Sequence, residues 1–345
     1  MSASNRKVQL AISVCLAASY ALFAPSRGFC MQSPQRPASS CLVDGQIPAK
    51  DLAAVDKAAI EFVQSALSAN PETAYAIFTA EAKTGITSEN FSAVFKQAIQ
   101  PMGPFSNLHV AHTYLAQVTG GAQEQRVVCG NQANSASWVA VNTKPGPAQA
   151  HVIVEAQTPN NTWAFVLWLL PEQGNWRVQY SQAMATTTVG MTVVELERMA
   201  AAEMQAHRNF NAYILYAAAL QLAVRGPFLQ LGIQPEIQKN LDSLKPPINL
   251  QSGPPFDWPL GKSTFKVLNV GPIGISEKIY LLIDHQMETW ADDHVADAKN
   301  RELIASFAKS YPEYRQVFAG IMVRAHAREG IQSFSTVVEN AAAAK

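Results

Sequence analysis

Apolar and polar positions along the chain alternate first with a helical period, then with a strand period, then with both again. Between Asp51 and Ala69 the apolar residues Leu52, Val55, Ala59, Phe62, Val63 and Leu67 recur at helical spacing, and Asn70-Pro71 predicts the stop. Shorter helices are expected over Pro71–Phe78 and Glu89–Ile99, the second capped by Thr87 or Ser88. Six runs rich in β-branched and aromatic residues follow, at 108–118, 124–129, 137–143, 151–158, 162–170 and 176–182, separated by Gly, Pro and Asn.

The clearest of these is the hairpin from Asn161 to Ala183. Trp163, Phe165, Leu167 and Leu169 fall on one face of its first strand and Ala164, Val166, Trp168 and Leu170 on the other, so both faces are expected to be buried. The turn is expected at Pro171-Glu172-Gln173-Gly174-Asn175, and Thr158-Pro159-Asn160-Asn161 predicts a second hairpin just before it. Further on, Val193–Arg225 reads as one or two alanine-rich helices closed by Gly226-Pro227, with Tyr213, Tyr216, Leu220 and Val224 as an apolar stripe in need of a partner. A short helix over Pro235–Ile248 and a proline-rich loop over Asn249–Gly261 come next. Strands at Thr264–Val270 and Lys278–Asp284, a helix at Asp292–Ser310, and strands at Val317–His326 and Ile331–Val338 complete a ββαββ order.

Helices first and strands afterwards define an α+β class, with helices on one face of a largely antiparallel sheet. The helices VDKAAIEFVQSAL and ENFSAVFKQAI, followed by a sheet ending in WAFVLWLLPEQGNWRVQY, resemble the NTF2-like fold, also called the cystatin-like α+β roll, over residues 49–185. That resemblance implies a curved sheet and a cone-shaped pocket between helices and sheet, which members use for catalysis, for ligand binding, or not at all. It brings no catalytic residues with it, because no family motif is present to match them to. The segment Ala212–Leu222 is similar to a tetratricopeptide-type helix, yet no second copy follows at a fixed period, so a packing helix between two domains is the other reading. The expected layout is a signal peptide at 1–29, a disordered leader at 30–48, the NTF2-like domain at 49–185, a helical segment at 191–250 and a C-terminal α+β unit at 262–340.

Arg6 and Lys7 ahead of the uncharged run Val8–Pro25 have the form of a secretory signal, expected to be cleaved, with a retained anchor as the alternative. The polar Pro/Ser/Gln-rich stretch after it cannot bury enough surface to fold alone. Of the four cysteines, Cys15 lies in the presumed signal; in an oxidising compartment Cys41 and Cys129 can pair, and a free buried Cys129 is the competing reading.

Lys+Arg and Asp+Glu balance at 26 each, and no basic stripe with interleaved aromatics is present, so no nucleic-acid partner is expected. Asp284, His285, Asp292, Asp293, His294 and Asp297 form the densest polar cluster, but their spacing fits no metal motif, and acidic residues at a helix start are favoured by the dipole. No metal and no cofactor is expected. Ser306-Phe307-Ala308-Lys309 and Lys83-Thr84-Gly85 match fragments of the serine β-lactamase motif set in reversed order, without the Ser-Asp-Asn element, and are read as coincidence. His109 and His112, three residues apart, are expected on opposite faces of a regular strand.

A ligand pocket, if the NTF2-like cavity is open, would draw on Trp138, Trp163, Trp168, Trp176, Tyr180, His109 and His112, with His151 as a further candidate base. The same aromatic residues would equally make the sheet's core. The resulting expectation is an exported bacterial envelope protein, periplasmic or extracellular, that acts by binding a protein or small molecule and touches a membrane only through its N-terminal segment if that is uncleaved. A small-ligand carrier or enzyme using the cavity is the alternative, and a tetratricopeptide-type scaffold the third.

Overall fold

Hydrophobic periodicity places the helices and strands close to where they form, and long-range pairing decides how they layer. The computed structural model describes residues 38–340 except 69, 100–101, 160, 248–253 and 276–277. The expected signal peptide and the first part of the expected leader lie outside the described residues. The class is α+β, with open, mainly antiparallel sheets.

The N-terminal half is built on a five-stranded antiparallel sheet in the order β1-β2-β5-β6-β7, formed by β1 (Ala38–Val43), β2 (Ser106–Thr119), β5 (Gln149–Gln157), β6 (Thr162–Glu172) and β7 (Asn175–Ala185). The leader expectation is corrected here. Residues 38–43 are not disordered; Ala38 to Val43 pair in register with Thr119 to Tyr114, so neighbouring strands supply the partners that their polar composition lacks. One face of the sheet carries α1 (Ala49–Leu67), α2 (Glu72–Tyr75), α3 (Ala80–Gly85) and α4 (Ser88–Ala98). Phe78 meets Phe62 and Phe91 edge-on at 5.1 and 5.2 Å, and the three rings pack with Val152, Val154, Phe165, Leu167 and Leu169. The space between helices and sheet is thus occupied by a phenylalanine-centred core.

The opposite face is covered by a second sheet. β3 (Gln125–Gly130), β4 (Trp138–Thr143) and β10 (Leu229–Leu231) pair in the order β10-β4-β3, and Val127, Cys129, Val139 and Val141 meet Ile153, Ala164, Val166 and Trp168 across the gap. The period-two reading of β6 therefore holds on both faces, because helices cover one and strands the other. Cys41 on β1 and Cys129 on β3 form a disulfide between the two sheets. The β6–β7 turn is tighter than expected: Gln173 and Gly174, at φ 52° and 78°, make the whole connection, while Pro171 and Glu172 stay in the strand.

Residues 191–250 are not an independent helical segment. A short hairpin of β8 (Thr187–Thr188) and β9 (Met191–Thr192) leads into α5 (Val193–Gln205) through a Thr192–Glu195 capping box, and α6 (Asn209–Ala223) folds back on α5. The chain then returns to the first sheet pair as β10 before α7 (Gln234–Asp242). Of the expected apolar stripe, Tyr213 and Tyr216 are buried because α5, α7 and the C-terminal unit surround α6, Leu220 is half-buried, and Val224, past the helix end, is exposed. Among the described residues there is one such helix pair, not a stacked series.

The C-terminal unit begins earlier than expected, at β11 (Phe256–Leu260), which had read as loop because of its prolines. It pairs at the sheet edge, where Pro259 needs no second partner. β12 (Ser263–Ile275), β13 (Lys278–Met287), β14 (Gly320–Ala327) and β15 (Ser333–Glu339) extend the sheet in chain order, with α8 (Asp293–Ser310) crossing between the parallel pair β13 and β14. The order is therefore βββαββ. A buried polar knot ties this unit to the helices: Arg208 grips Glu203 through two hydrogen bonds of 2.6 and 2.7 Å. Asn211 donates both to Glu203, at 2.8 Å, and to the carbonyl of Glu313, at 2.7 Å.

Candidate functional site

The residues expected to share one pocket are distributed over separate places. Trp176 packs against the phenylalanine core, Trp163 lines a cleft of about 710 Å³ beside α6, and Trp168 and Tyr180 border a small cavity of about 160 Å³. Trp168 donates its indole N–H to Gln149 Oε1 at 3.0 Å and is a core residue. His151 is fully buried, stacked on Trp168 and tilted against Phe228; burial pushes its imidazole down to about 3, outweighing the Asn142 backbone, which favours the charged form. A neutral aromatic spacer describes it better than a base. Trp138 and His112 line a third, separate cavity.

That cavity, of about 420 Å³, lies between the two sheets' ends, the start of α5 and the exit of α6. Its first side is β2 and β5. A bulge in β2 between Val110 and His112 shifts the register, so His109 pairs with Glu155 and His112 with Ile153. Glu155 and Ile153 are alternate residues of β5, and directly paired residues share a face, so both histidines and Tyr114 point to the same side. The expectation that His109 and His112 oppose each other is corrected by this one extra residue. His112 Nδ1 meets Asp44 Oδ2 at 3.0 Å at the rim, while Asp44 Oδ1 accepts from the Thr113 N–H at 2.7 Å. His109 Nε2 stands 3.9 Å from Glu155.

The other side is set by the exit of α6. Val224 leaves the helical conformation, Arg225 follows, and Gly226 at φ +81° with Pro227 turns the chain toward β10. Arg225 is only 6% exposed. Its Nη1 donates to the carbonyls of Leu222 and Val224, the negative end of α6, and contacts Met184 Sδ at 4.0 Å. Burial pulls the guanidinium down to about 10, against the stabilising charge of Glu155, and at that value it is a cation at neutral pH. Among the described residues no carboxylate lies within 4.0 Å of it. Tyr114, also 6% exposed, has its phenol pushed up by burial and by the Asp44 charge, so its hydroxyl stays protonated and lines the cavity without a hydrogen-bond partner. The site thus contains a buried cation, a neutral hydroxyl donor, the free acceptor capacity of Glu155, and Trp138 as an apolar wall.

Arg225, Tyr114, Glu155 and Asp44 were not singled out from the sequence. The signal was present for two of them: Glu155 interrupts an apolar strand, and Arg225 closes an apolar helix just before Gly226-Pro227.

A larger cavity of about 920 Å³ opens between β11–β13 and α8, but its charges neutralise one another: Lys266 pairs with Asp257 at 2.7 Å and Lys299 with Glu302 at 2.8 Å. The Asp/His cluster nearby does not converge. Asp284 accepts from Arg324 at 2.6 Å and His326 at 3.1 Å on one face of the sheet, His285 meets Asn300 on the other at 2.7 Å, Asp292 caps α8, and Asp297 binds Thr336 and Arg301. Among the described residues no group of three or more potential ligands is placed to hold a metal, and no helix is long and apolar enough to cross a membrane. Ser306 and Lys83 sit in α8 and α3, in different halves of the chain.

No protein-family model matches the chain, and comparison with curated proteins and with solved structures finds no match.

Proposed function

We propose that this chain is an exported, non-enzymatic binding protein that holds a small polar ligand in the Arg225 cavity. The observation that carries the reading is the guanidinium itself: a cation 6% exposed, without a carboxylate in ion-pair range, at the wall of an open 420 Å³ space. The α6 carbonyls and the Glu155 charge offset only part of the cost of burying this guanidinium without a direct ion-pair partner, and a bound anionic group would offset more of it. The burial of Tyr213 and Tyr216 weighs against a partner-binding patch on α6. Export is supported by the signal-like first residues and by the Cys41–Cys129 disulfide, a bond that persists in oxidising compartments. An NTF2-like ancestry for residues 49–185 is supported by helices on one face of an antiparallel sheet, although the ligand space lies on the face that the second sheet covers.

A second reading rests on one contact. Asp44 orients His112 through Nδ1 at the cavity rim, which leaves Nε2 to accept a proton from a bound molecule, as a general base would. Binding and turnover separate the two: a carrier keeps its ligand unchanged and tolerates His112→Ala, whereas an enzyme releases product and loses turnover by about 100-fold or more. For the export half, a tagged chain lacking residues 1–29 is expected to stay inside the producing cell. Its appearance outside would contradict export through that segment.

A further inference from the structure

The cavity contains two opposite charges that do not satisfy each other, and their arrangement selects a ligand. Resting on the small-ligand reading above, we propose that the ligand is a small zwitterion, its anionic group taken by Arg225 and its cationic donor by Glu155. Arg225 spends only Nη1 on the carbonyls that end α6. Nε and Nη2 have no hydrogen bond, neither is sealed in the interior as an unpaired atom, and Arg225 lines the cavity, which leaves this edge of the guanidinium free to take a ligand there. A guanidinium edge with two parallel N–H donors is the geometry that binds a carboxylate bidentately. The unpartnered Tyr114 hydroxyl, on the same cavity, supplies a further donor to the same anionic group.

The acidic residues decide against a simple anion. Asp44 is occupied, its two oxygens accepting from the Thr113 N–H and meeting the His112 ring. Glu155 is not: its contact is His109 at 3.9 Å, beyond hydrogen-bonding range, and it too lines the cavity. A plain carboxylate would meet Arg225 at the cost of standing near Glu155, and a plain amine would meet Glu155 at the cost of standing near a buried guanidinium. A molecule carrying both charges satisfies both, because each of its ends replaces the water that the protein group lost. The volume, near the lower end of the ~300–1,000 Å³ range of ligand pockets, suits a molecule of amino-acid size. Trp138 gives the remaining apolar part a surface, or a quaternary ammonium an aromatic face.

The test uses the purified full chain with matched probes: the common α-amino acids and glycine betaine, and for each hit its analogue without the amine and its analogue without the carboxylate. Thermal shift finds hits and calorimetry measures Kd. At least one zwitterion is expected to bind tenfold or more tightly than both of its single-charge analogues. Glu155→Gln is expected to shrink the gap between the zwitterion and its amine-free analogue to less than threefold, and Arg225→Gln to abolish binding of both. Should Arg225→Gln fail to fold, Tyr114→Phe, which removes one hydroxyl, is expected to weaken the zwitterion by about threefold to tenfold with an unchanged melting temperature. Binding of the amine-free analogue as tightly as of the zwitterion, or a gap that survives Glu155→Gln, overturns the zwitterion assignment. Binding of neutral or singly charged probes alone, lost in Arg225→Gln or Tyr114→Phe, overturns it while the small-ligand reading stands; no binding by any probe overturns both.

Discussion

His109 and His112 stand on the same face of β2, three residues apart, because Ala111 is an extra residue in the ladder between their partners Glu155 and Ile153. This single bulge brings an imidazole next to Glu155 and another next to Asp44, and so shapes the rim of the cavity. Deleting Ala111 would remove the bulge and restore plain alternation with every partner kept, since His109 stays opposite Glu155, Val110 opposite Val154 and His112 opposite Ile153. Both histidines are therefore expected to stay on one face and the fold to be retained, with a loss of about 0.5–3 kcal/mol in denaturant unfolding from the changed bend and twist of the strand. His112→Ala, by contrast, removes an exposed contact and is expected to cost about 0–1 kcal/mol.

The disulfide joins strands of two sheets across 88 residues of chain. Closing a loop of that length restricts the unfolded chain by about 4–5 kcal/mol on an entropy estimate. The Cys41→Ser/Cys129→Ser double variant is expected to lose 2–5 kcal/mol of stability on that basis, to be seen as a lower urea midpoint, and reductant should reproduce the loss in the wild type. An unchanged midpoint in both would show that the edge pairing of β1 suffices.

His151 makes stability depend on acid. The unfolded chain takes up its proton near the ordinary value of 6.5, whereas burial holds the folded group down to about 3. Between those values the unfolded state binds the extra proton, so stability is full above about pH 6.5 and falls as the pH falls, by up to about 1.4 kcal/mol per pH unit. Asp284, whose burial is outweighed by hydrogen bonds from Arg324 and His326 that hold it below the usual carboxylate range, falls in the same direction at lower pH. The two are separated by comparing wild type with His151→Phe, which keeps a ring between Trp168 and Phe228. The variant is expected to show a shallower decline between pH 6.5 and 4, and an equal slope would place the acid sensitivity elsewhere.

Glu203, Arg208 and Asn211 fasten the α5–α6 hairpin to Glu313, in the short helical turn after α8. Asn211→Ala leaves the Glu313 carbonyl without its donor and is expected to cost about 1–3 kcal/mol. Glu203→Leu removes the acceptor of both Arg208 and Asn211, leaves the half-exposed guanidinium to water, and is expected to lower the melting temperature. Differential scanning calorimetry checks both, and a new low-temperature transition in either variant would show that the C-terminal unit had uncoupled from the helices.

By itself the sequence determined the local elements. The six strands of the first half, the capped helices at Thr87 and Asp292, the twofold burial of β6 and the α+β class all follow from periods of two or 3.6 residues and from short-range capping, which are properties of neighbouring residues. What the tertiary structure decided depends on pairing across long separations. Residues 38–43 lack the apolar content to fold alone and become a strand because β2 offers an edge. Pro259 hid β11 until an edge position left its missing N–H without consequence. The bulge at Ala111 has no sequence mark, since an alanine fits any strand position, and it is visible only through the register with β5. Arg225 and Glu155 are 70 residues apart by number, and each reads as one charge in an apolar run. The turn at Gly226-Pro227, which sends the chain back as β10, is what places both on one cavity.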